Sequence, residues 1–245
     1  MTATSNLLSE LSRAVADRAA AARAALVAIC TPDGRHSTGT LWRSDLVVAS
    51  EQALPKADEF QVVAADGSSI AAQLSGRDRG TNVALIKLSQ PVSFSPAAAG
   101  EAEVGMLVLA FGADGAGGVT TRWGVVNQSG PEWYSARGGR IDQRIVLDMR
   151  LARAEEGGPV FDSVGALLGI STLGPRGQVL VIPSATVERV IPPLLKDGRV
   201  ARGWLGVALQ PVAVPDALAP AASRPPPIEP VVPDKIMPGP LETPY

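Results

Sequence analysis

Short apolar runs separated by turn signals fill the middle of this chain, and they limit what it can fold into. Each run has three to six residues, which suits a strand and is too short for a helix. Turn-forming pairs such as Asp66-Gly67 and Gly138-Gly139 lie between the runs. The pattern predicts an all-β domain, either an antiparallel barrel or a sandwich. The runs are 25–30, 46–49, 60–65, 70–74, 83–88, 106–111, 123–126, 145–147, 166–170 and 179–182.

A helix is predicted ahead of the first strand. Residues 5 to about 24 carry apolar side chains at helical spacing, and Ser5 is a suitable N-cap. The apolar positions are Leu7, Leu8, Leu11 and Val15. Charged residues such as Glu10 and Arg13 interrupt the apolar core that a signal peptide needs. We therefore expect an N-terminal amphipathic helix within residues 1–24 and a cytoplasmic protein.

A second helix is predicted after Ser184 and is expected to end at Gly198. Its inward residues are predicted to be Val187, Val190, Ile191, Leu194 and Leu195. Pro192-Pro193 lies inside it, and proline removes a backbone donor and clashes with the preceding turn. We therefore expect a kink or a restart of the helix at this pair.

The overall charge excludes several classes of partner. The formal net charge is -2 at pH 7, which gives no basic footprint for nucleic acid or for an anionic membrane. No run of 18 apolar residues occurs, so no membrane-spanning helix is predicted. The single cysteine, Cys30, cannot form an internal disulfide. We expect a protein partner, and neither nucleic acid nor membrane.

Five segments in order resemble the HtrA/Deg branch of the trypsin-like serine proteases. The resemblance implies two six-stranded antiparallel β-barrels with a cleft between them, here over residues 25–200. It also implies that residues 201–212 are the remnant of the first strand of a PDZ domain. The segments are STGTLWRSDLVVAS (37–50), ADGSSIAAQLSGRDRGTNVALIKL (65–88), VGMLVLAFG with TRWGVV, GGPVFDSVGALLGIST, and IPSATVERVI through GRVARGWLGVALQPV (182–212).

The resemblance places the catalytic triad at three substituted positions. Gln52 stands where the family has its histidine, and Asn82 stands where it has its aspartate. Glu156, directly before Gly157-Gly158, stands where the family has its serine. Gln52 has no titratable nitrogen, Asn82 has no charge, and a carboxylate at 156 would oppose an oxyanion. We therefore expect no catalytic residues and no protease activity.

Other chemistry at this place is not favoured by the residues. Glu155 precedes Glu156, but neighbouring residues on an extended strand point opposite ways, so a carboxylate dyad is not expected. His36 is the only histidine, and the resemblance places it at the start of a strand as an exposed residue away from the base position. No histidine or cysteine adjoins Glu155, Glu156 and Asp162, so no metal or cofactor is predicted.

The substituted positions can still bond to one another. We expect the Gln52 amide to donate to the Glu156 carboxylate and to bond Asn82 on its other side. We expect backbone donors of the vestigial oxyanion hole, near Gly157, to cap the same carboxylate. This vestigial cleft comprises Glu155, Glu156, Gly157 and Gly158.

The chain from residue 213 to 245 has the composition of an extended tail. Ten prolines lie between Pro215 and Pro244, so neither sheet nor helix is expected there. Apolar side chains recur in it, which a mere spacer does not need, and they suggest a segment that straps onto a partner. Tail candidates for partner contact are Ile228, Ile236 and Tyr245, with Trp204 in the PDZ remnant.

The remaining aromatic residues divide into core and surface candidates. Trp42 and Trp123 lie on predicted strands and are expected in the core. Trp133 and Tyr134 lie in a predicted loop, where exposed aromatic side chains are favoured anchors for partners.

Three functions remain open from the sequence. The first is a non-catalytic subunit that clamps a partner complex through its barrels, helix and tail. The second is a chaperone or adaptor that holds extended peptides in the vestigial cleft. The third is an active serine endopeptidase using another serine, Ser50 or Ser163, although neither has an evident base.

Overall fold

Six strands of the first half close into a barrel. The computed structural model describes residues 3–31 and 34–202. The barrel order is β1-β2-β3-β6-β5-β4, and every neighbouring pair is antiparallel. Alternate residues of each strand point inward, so Val47, Ala49 and Ile86 lie in one fully buried cluster. The strands are β1 Leu26–Cys30, β2 His36–Arg43, β3 Leu46–Ser50, β4 Glu59–Val63, β5 Ser69–Asp78 and β6 Val83–Leu88.

The second half repeats the architecture. Its barrel order is β11-β14-β13-β12-β7-β8, around a core that includes Val108, Val126 and Val160. Two short strands between β8 and β11 form a separate ribbon. The strands are β7 Leu107–Ala113, β8 Val119–Gly130, β9 Trp133–Tyr134, β10 Arg140–Ile141, β11 Arg144–Asp148, β12 Pro159–Asp162, β13 Leu167–Leu173 and β14 Val179–Pro183. The predicted pair of six-stranded antiparallel barrels is confirmed.

Helix α2, Ser184–Asp197, packs across both barrels. Val187 and Ile191 share a buried cluster with Val48 and Leu85 of the first barrel and Ile170 of the second. This explains why 46–49 of β3 and 83–86 of β6 are continuously apolar, because one face of each strand fills the barrel and the other lies in the α2 cluster.

Two expectations for this helix are wrong. The helix continues through Pro192-Pro193, since the fixed φ of proline suits a helix and buried residues on both sides of the pair hold the two halves in place. Leu195 is exposed and not inward. Gly198 ends the helix with a φ of 68°, as expected.

Helix α1, Ala3–Ala22, is longer at its start than predicted. It begins before Ser5, which therefore lies inside the first turn and is not the N-cap. Its last turns pack Val15, Ala19 and Ala22 against Phe111 of the second barrel. Its earlier apolar residues Leu7, Leu8 and Leu11 are exposed. In the described part of the chain, no helix is long and apolar enough to cross a membrane.

The aromatic expectations hold in part. Trp42 is buried, and its Nε1 donates to Glu188 Oε1 at 2.5 Å. Trp123 lies on β8 but is 59% exposed, because Val126 points into the barrel and alternation puts Trp123 on the outer face.

The predicted loop around Trp133 and Tyr134 is instead the strand β9, which pairs with β10. Trp133 is half-buried, packs against the α2 cluster and has Arg144 over its ring at 5.4 Å. Tyr134 is exposed. Of this pair, Tyr134 therefore has the accessible side chain.

Several sequence predictions fall outside the described residues. They are Trp204, Ile228, Ile236, Tyr245, the PDZ remnant beyond Arg202 and the tail 213–245.

Candidate functional site

The two barrels bring the three substituted positions together. Gln52 lies in a 3-10 turn directly after β3, and Asn82 directly precedes β6. Because β3 pairs with β6 through Ser50 opposite Val83, these two positions are neighbours. Glu156 arrives from the second barrel, between the 3-10 turn Arg153–Glu155 and β12. The site therefore lies where the barrels meet.

The Gln52 side chain bridges the barrels. Its Nε2 donates to Glu156 Oε2 at 2.7 Å, the bond that the sequence analysis expects. The same amide nitrogen lies 2.8 Å from the carbonyl oxygen of Leu173 and 3.0 Å from Thr172 Oγ1. Both of these acceptors belong to β13.

Asn82 joins the network differently from the expectation. Its Oδ1 accepts the backbone N–H of Gln52 at 2.8 Å, and no bond between the two side chains forms. Its Nδ2 donates to Ser50 Oγ at 3.0 Å and to Thr172 Oγ1 at 2.7 Å. The residue has a φ of 60°, a left-handed conformation that asparagine tolerates better than most residues.

Glu156 is the shared acceptor of this cluster and is 2% exposed. Besides Gln52, its Oε2 accepts Thr172 Oγ1 at 3.1 Å, Ser50 Oγ at 3.3 Å and the N–H of Leu173 at 3.3 Å. No ion pair to Glu156 occurs within residues 3–31 and 34–202. Neutral donors alone therefore stabilise a buried carboxylate.

Thr172 is the member that the sequence analysis missed. Its hydroxyl accepts from Gln52 and Asn82 and donates to Glu156, so it contacts all three substituted positions. Nothing in the local sequence distinguishes it from other strand threonines, and barrel closure brings it into the site.

The predicted capping by backbone donors near Gly157 is wrong. The Gly157 N–H donates to Ser171 O at 2.9 Å and the Gly158 N–H to Glu155 O at 3.2 Å, so Leu173 supplies the backbone cap instead. Gly157 has a φ of 90°, and a Cβ there would lie 2.4 Å from the carbonyl oxygen of Thr38. Only glycine fits this position.

The backbone N–H of Glu156 forms a hydrogen bond within the preceding 3-10 turn. In serine proteases, the oxyanion is bound by the N–H of the nucleophile position and by the N–H two residues before it. Here the Glu156 N–H donates to the carbonyl of Arg153 at 3.4 Å. One of the two oxyanion donors, the N–H of position 156, is therefore already used in a hydrogen bond within the 3-10 turn.

Glu155 points away from Glu156, so the two carboxylates do not form a dyad. It accepts Thr120 Oγ1 at 2.8 Å, the Ala152 N–H at 2.7 Å and Arg122 Nε at 3.1 Å. Burial raises the pKa of Glu155, but these hydrogen bonds outweigh burial and hold the pKa below its usual value. Glu155 is an ionised structural residue of the second barrel.

Asp78 fixes the turn that leads to Asn82. Its buried carboxylate accepts the N–H groups of Gly80 and Thr81 and the Thr81 hydroxyl. Arg202 forms a bidentate pair with it, 2.7 Å at each oxygen. Burial raises the pKa of Asp78, but the hydrogen bonds from Arg202 and Thr81 outweigh it and lower the pKa.

An open cleft of about 600 Å³ adjoins Gln52. His36 lies in its wall and is half-buried, which differs from the exposed position expected of it. Arg153 and Ala154 of the 3-10 turn also line it. Among the described residues, no group of three histidine, cysteine or acidic side chains could hold a metal.

Comparison with known proteins assigns this chain to a family. The profile described as trypsin-like peptidase domain matches residues 37–170, which contain all three substituted positions. The chain belongs to the trypsin-like peptidase family. The match begins within β2 and ends within β13, so it includes strands of both barrels.

Curated relatives of this family member are of the HtrA/DegP type. A probable periplasmic serine endoprotease DegP-like of Brucella suis is 35% identical over 177 residues, and the alignment covers 68% of this chain. Its namesake from Rickettsia conorii is 30% identical over 175 residues. The chain spans about a third of the length of the curated relatives it matches.

A solved structure shows the same fold. The HtrA-type protease AlgW with a tripeptide superposes with a TM-score of 0.67 at 22% identity. The match covers 81% of this chain and 69% of that one. It supports the trypsin-like architecture of both barrels.

The buried acceptor at position 156 predicts a stability effect. We expect Glu156→Ala to lower the free energy of unfolding by about 3 kcal/mol, because several buried donors lose their acceptor. Glu132→Ala is the matched control, since Glu132 is exposed and, among the described residues, pairs with Arg140 alone, and it should change the free energy of unfolding by about 0.5 kcal/mol or less. Urea denaturation followed by tryptophan fluorescence measures both. Equal effects of the two substitutions would contradict the network.

The Asp78–Arg202 pair predicts a dependence on pH. Because the folded pKa of Asp78 is lowered, its contribution to stability is present above the unfolded pKa of about 3.9 and is lost as pH falls through the folded value. Arg202→Gln should destabilise the protein by about 2 kcal/mol at neutral pH, an amount discounted for the partial exposure of Arg202.

This deficit should close as the pH falls below the unfolded pKa and through the lowered folded pKa of Asp78, because the carboxylate becomes protonated there. Arg199→Gln is the control, an exposed arginine three residues earlier, and should show little deficit at any pH. Urea denaturation between pH 3 and pH 7 distinguishes the two. A deficit for Arg202→Gln that does not depend on pH would contradict the assignment.

Proposed function

We propose that this protein is a non-catalytic member of the trypsin-like peptidase family that binds a partner protein or complex as a structural subunit. The observation that carries the proposal is the Gln52–Glu156 hydrogen bond at 2.7 Å. In the family's active arrangement, a histidine accepts a proton from serine at this place. Here an amide donates to a carboxylate, so no proton acceptor and nucleophile face each other.

The electrostatics of the site support the proposal. A tetrahedral intermediate carries negative charge on its oxygen, and a carboxylate at 156 would repel it. The N–H of position 156 is engaged with Arg153. Loss of a triad serine or histidine alone costs on the order of 10⁶ in kcat.

Replacement nucleophiles find no histidine or lysine base in the described residues. Ser50 Oγ is buried in the network and bonds Glu156 and Asn82. Ser163 lies in a groove with Trp123 and Leu107, on a different part of the second barrel. His36 hydrogen-bonds neither serine. The endopeptidase hypothesis therefore has no supporting geometry, although the curated relatives are named as endoproteases.

Exposed apolar side chains support binding to a protein partner. Leu11 of α1 lines one groove with Leu107 and Trp123 of the second barrel, and Leu7 and Leu8 are exposed on the same helix. Contiguous exposed apolar surface is typical of interaction sites. Tyr134 adds an exposed aromatic side chain elsewhere.

A second candidate function is a peptide-binding adaptor or chaperone. The open cleft beside Gln52 favours it, because an extended peptide could lie there without being cut. Excess unfolded peptide would compete with clients of such an adaptor. It would not displace a partner held by the apolar surface.

The cytoplasmic location stays a prediction from the sequence. The curated relatives are named periplasmic, and this protein can differ from them.

Absence of protease chemistry is directly testable. We expect no hydrolysis of casein and no labelling by a fluorophosphonate probe, because no described serine is paired with a histidine or lysine. Glu156→Ser alone should stay unlabelled. The triple variant Gln52→His/Asn82→Asp/Glu156→Ser rebuilds the family's triad and should be labelled at position 156. Labelling of the unmodified protein, at Ser50 or Ser163, would contradict the proposal.

The subunit function is tested by affinity purification from the native host. The baits are the intact chain and a chain that ends at Val212, and mass spectrometry identifies what each retains. We expect one protein to co-purify in stoichiometric amount with the intact chain and to be lost from the shortened one. The same diverse and weakly held proteins on both baits, displaced by unfolded peptide, would favour the adaptor instead.

A further inference from the structure

A buried carboxylate beside the site collects three arginines. Glu51 precedes Gln52 and its side chain is 8% exposed. Its Oε1 lies 3.4 Å from Arg79 Nε and 3.8 Å from a terminal nitrogen of Arg77. Its Oε2 lies 3.8 Å from a terminal nitrogen of Arg137. One carboxylate thus holds guanidinium groups from two different parts of the chain.

The two loops that carry these arginines are fixed to each other. Arg79 follows β5, and Arg137 lies in the turn between β9 and β10. Ser135 Oγ, in that turn, donates to the carbonyl of Gly80 at 2.6 Å. The position of Arg137 relative to Arg79 is therefore set by packing as well as by Glu51.

Arg79 and Arg137 keep unused hydrogen-bond donors. The Arg77 guanidinium donates to the carbonyls of Pro55 and Ala57, so its donors are engaged. The side chains of Arg79 and Arg137 are each 63% exposed and donate no hydrogen bond to the described part of the chain. Each guanidinium presents five N–H donors in a planar fork.

The surface around Glu51 has a positive net charge, whereas the full chain has a negative one. The full chain has a net charge of -2. Around this turn, however, the guanidiniums of Arg77, Arg79, Arg137 and Arg202 face the carboxylates of Glu51 and Asp78. Two positive charges are left over, and they reside on the exposed pair.

The open cleft beside Gln52 also has positive charge in its wall. Arg35 and Arg153 line it, and no carboxylate occurs among its described lining residues. A ligand in this cleft would therefore meet positive charge from the cleft wall.

We propose that Arg79 and Arg137 form a cationic fork that binds an acidic peptide segment of the partner protein, an inference that rests on the proposed subunit function. Carboxylates pair with guanidinium forks through two parallel hydrogen bonds. Glu51 already holds the two guanidinium groups near each other in the free protein, so less side-chain entropy is lost when a peptide binds.

A nucleic-acid ligand fits these residues less well. Proteins that bind nucleic acid non-specifically neutralise many phosphates, and their basic surfaces are extensive. This fork has two exposed guanidiniums within a chain of negative net charge. A short acidic segment matches that number of charges.

Fluorescence anisotropy with labelled peptides tests the proposal on the full chain. The probes are (Gly-Glu)5 and its uncharged match (Gly-Gln)5. We expect the acidic peptide to bind at least about 5-fold more tightly at low salt, from two exposed charge pairs. The preference should disappear at about 1 M salt, where the screening length falls to about 3 Å.

The variant Arg79→Gln/Arg137→Gln should lose this preference. Arg13→Gln/Arg150→Gln is the matched control, because it removes the same charge from two exposed arginines elsewhere, and it should keep the preference. Each single substitution should lose part of the preference for the acidic peptide. The single variants therefore test the proposal even if the double variant does not fold. An absent preference, or one that survives in the double variant, would overturn the proposal. Tighter binding of a single-stranded DNA 20-mer would overturn the peptide assignment.

Failure of the fork and failure of the proposed function give different results. If the intact chain retains its partner but shows no preference for the acidic peptide, the fork is wrong and the subunit function stands. If the preference is present and depends on the two arginines but no partner is retained, the subunit function is wrong, and the fork remains only as an acidic-peptide site.

Discussion

The buried carboxylate of Glu156 is the interaction on which the arrangement of the site depends. A charge that is 2% exposed is costly unless donors surround it. Ser50 and Gln52 come from the first barrel, while Thr172 and the Leu173 N–H come from the second. Satisfying one carboxylate therefore ties the two barrels together at the cleft.

The same geometry is the basis for proposing a structural site and not a hydrolytic one. Catalysis needs a nucleophile whose proton has somewhere to go and donors that wait for an oxyanion. Here the donors already bond a resident carboxylate, and the N–H of position 156 bonds Arg153. The positions that transfer a proton in the family's active members here hold Gln52, Asn82 and Glu156, which are joined in one hydrogen-bond network.

Two other carboxylates beside the site, Asp78 and Glu51, are compensated by arginines and not by neutral donors. Asp78 is neutralised by the bidentate Arg202, which fixes the turn before Asn82. Glu51 instead faces three guanidiniums, more positive charge than it can neutralise. The excess remains on Arg79 and Arg137 at the surface, where a partner can reach it.

Apolar periodicity predicts most of the strands and the helix after Ser184, and the family resemblance places Gln52, Asn82 and Glu156 at one site. The role of Thr172, the exposure of Trp123, the strand β9 and the meeting of Arg79 with Arg137 at Glu51 become visible only in the folded chain. These depend on how each barrel closes and how the two barrels pack together, which brings together distant residues such as Gln52 and Leu173, 121 positions apart. No local pattern encodes which side chains meet across such a separation.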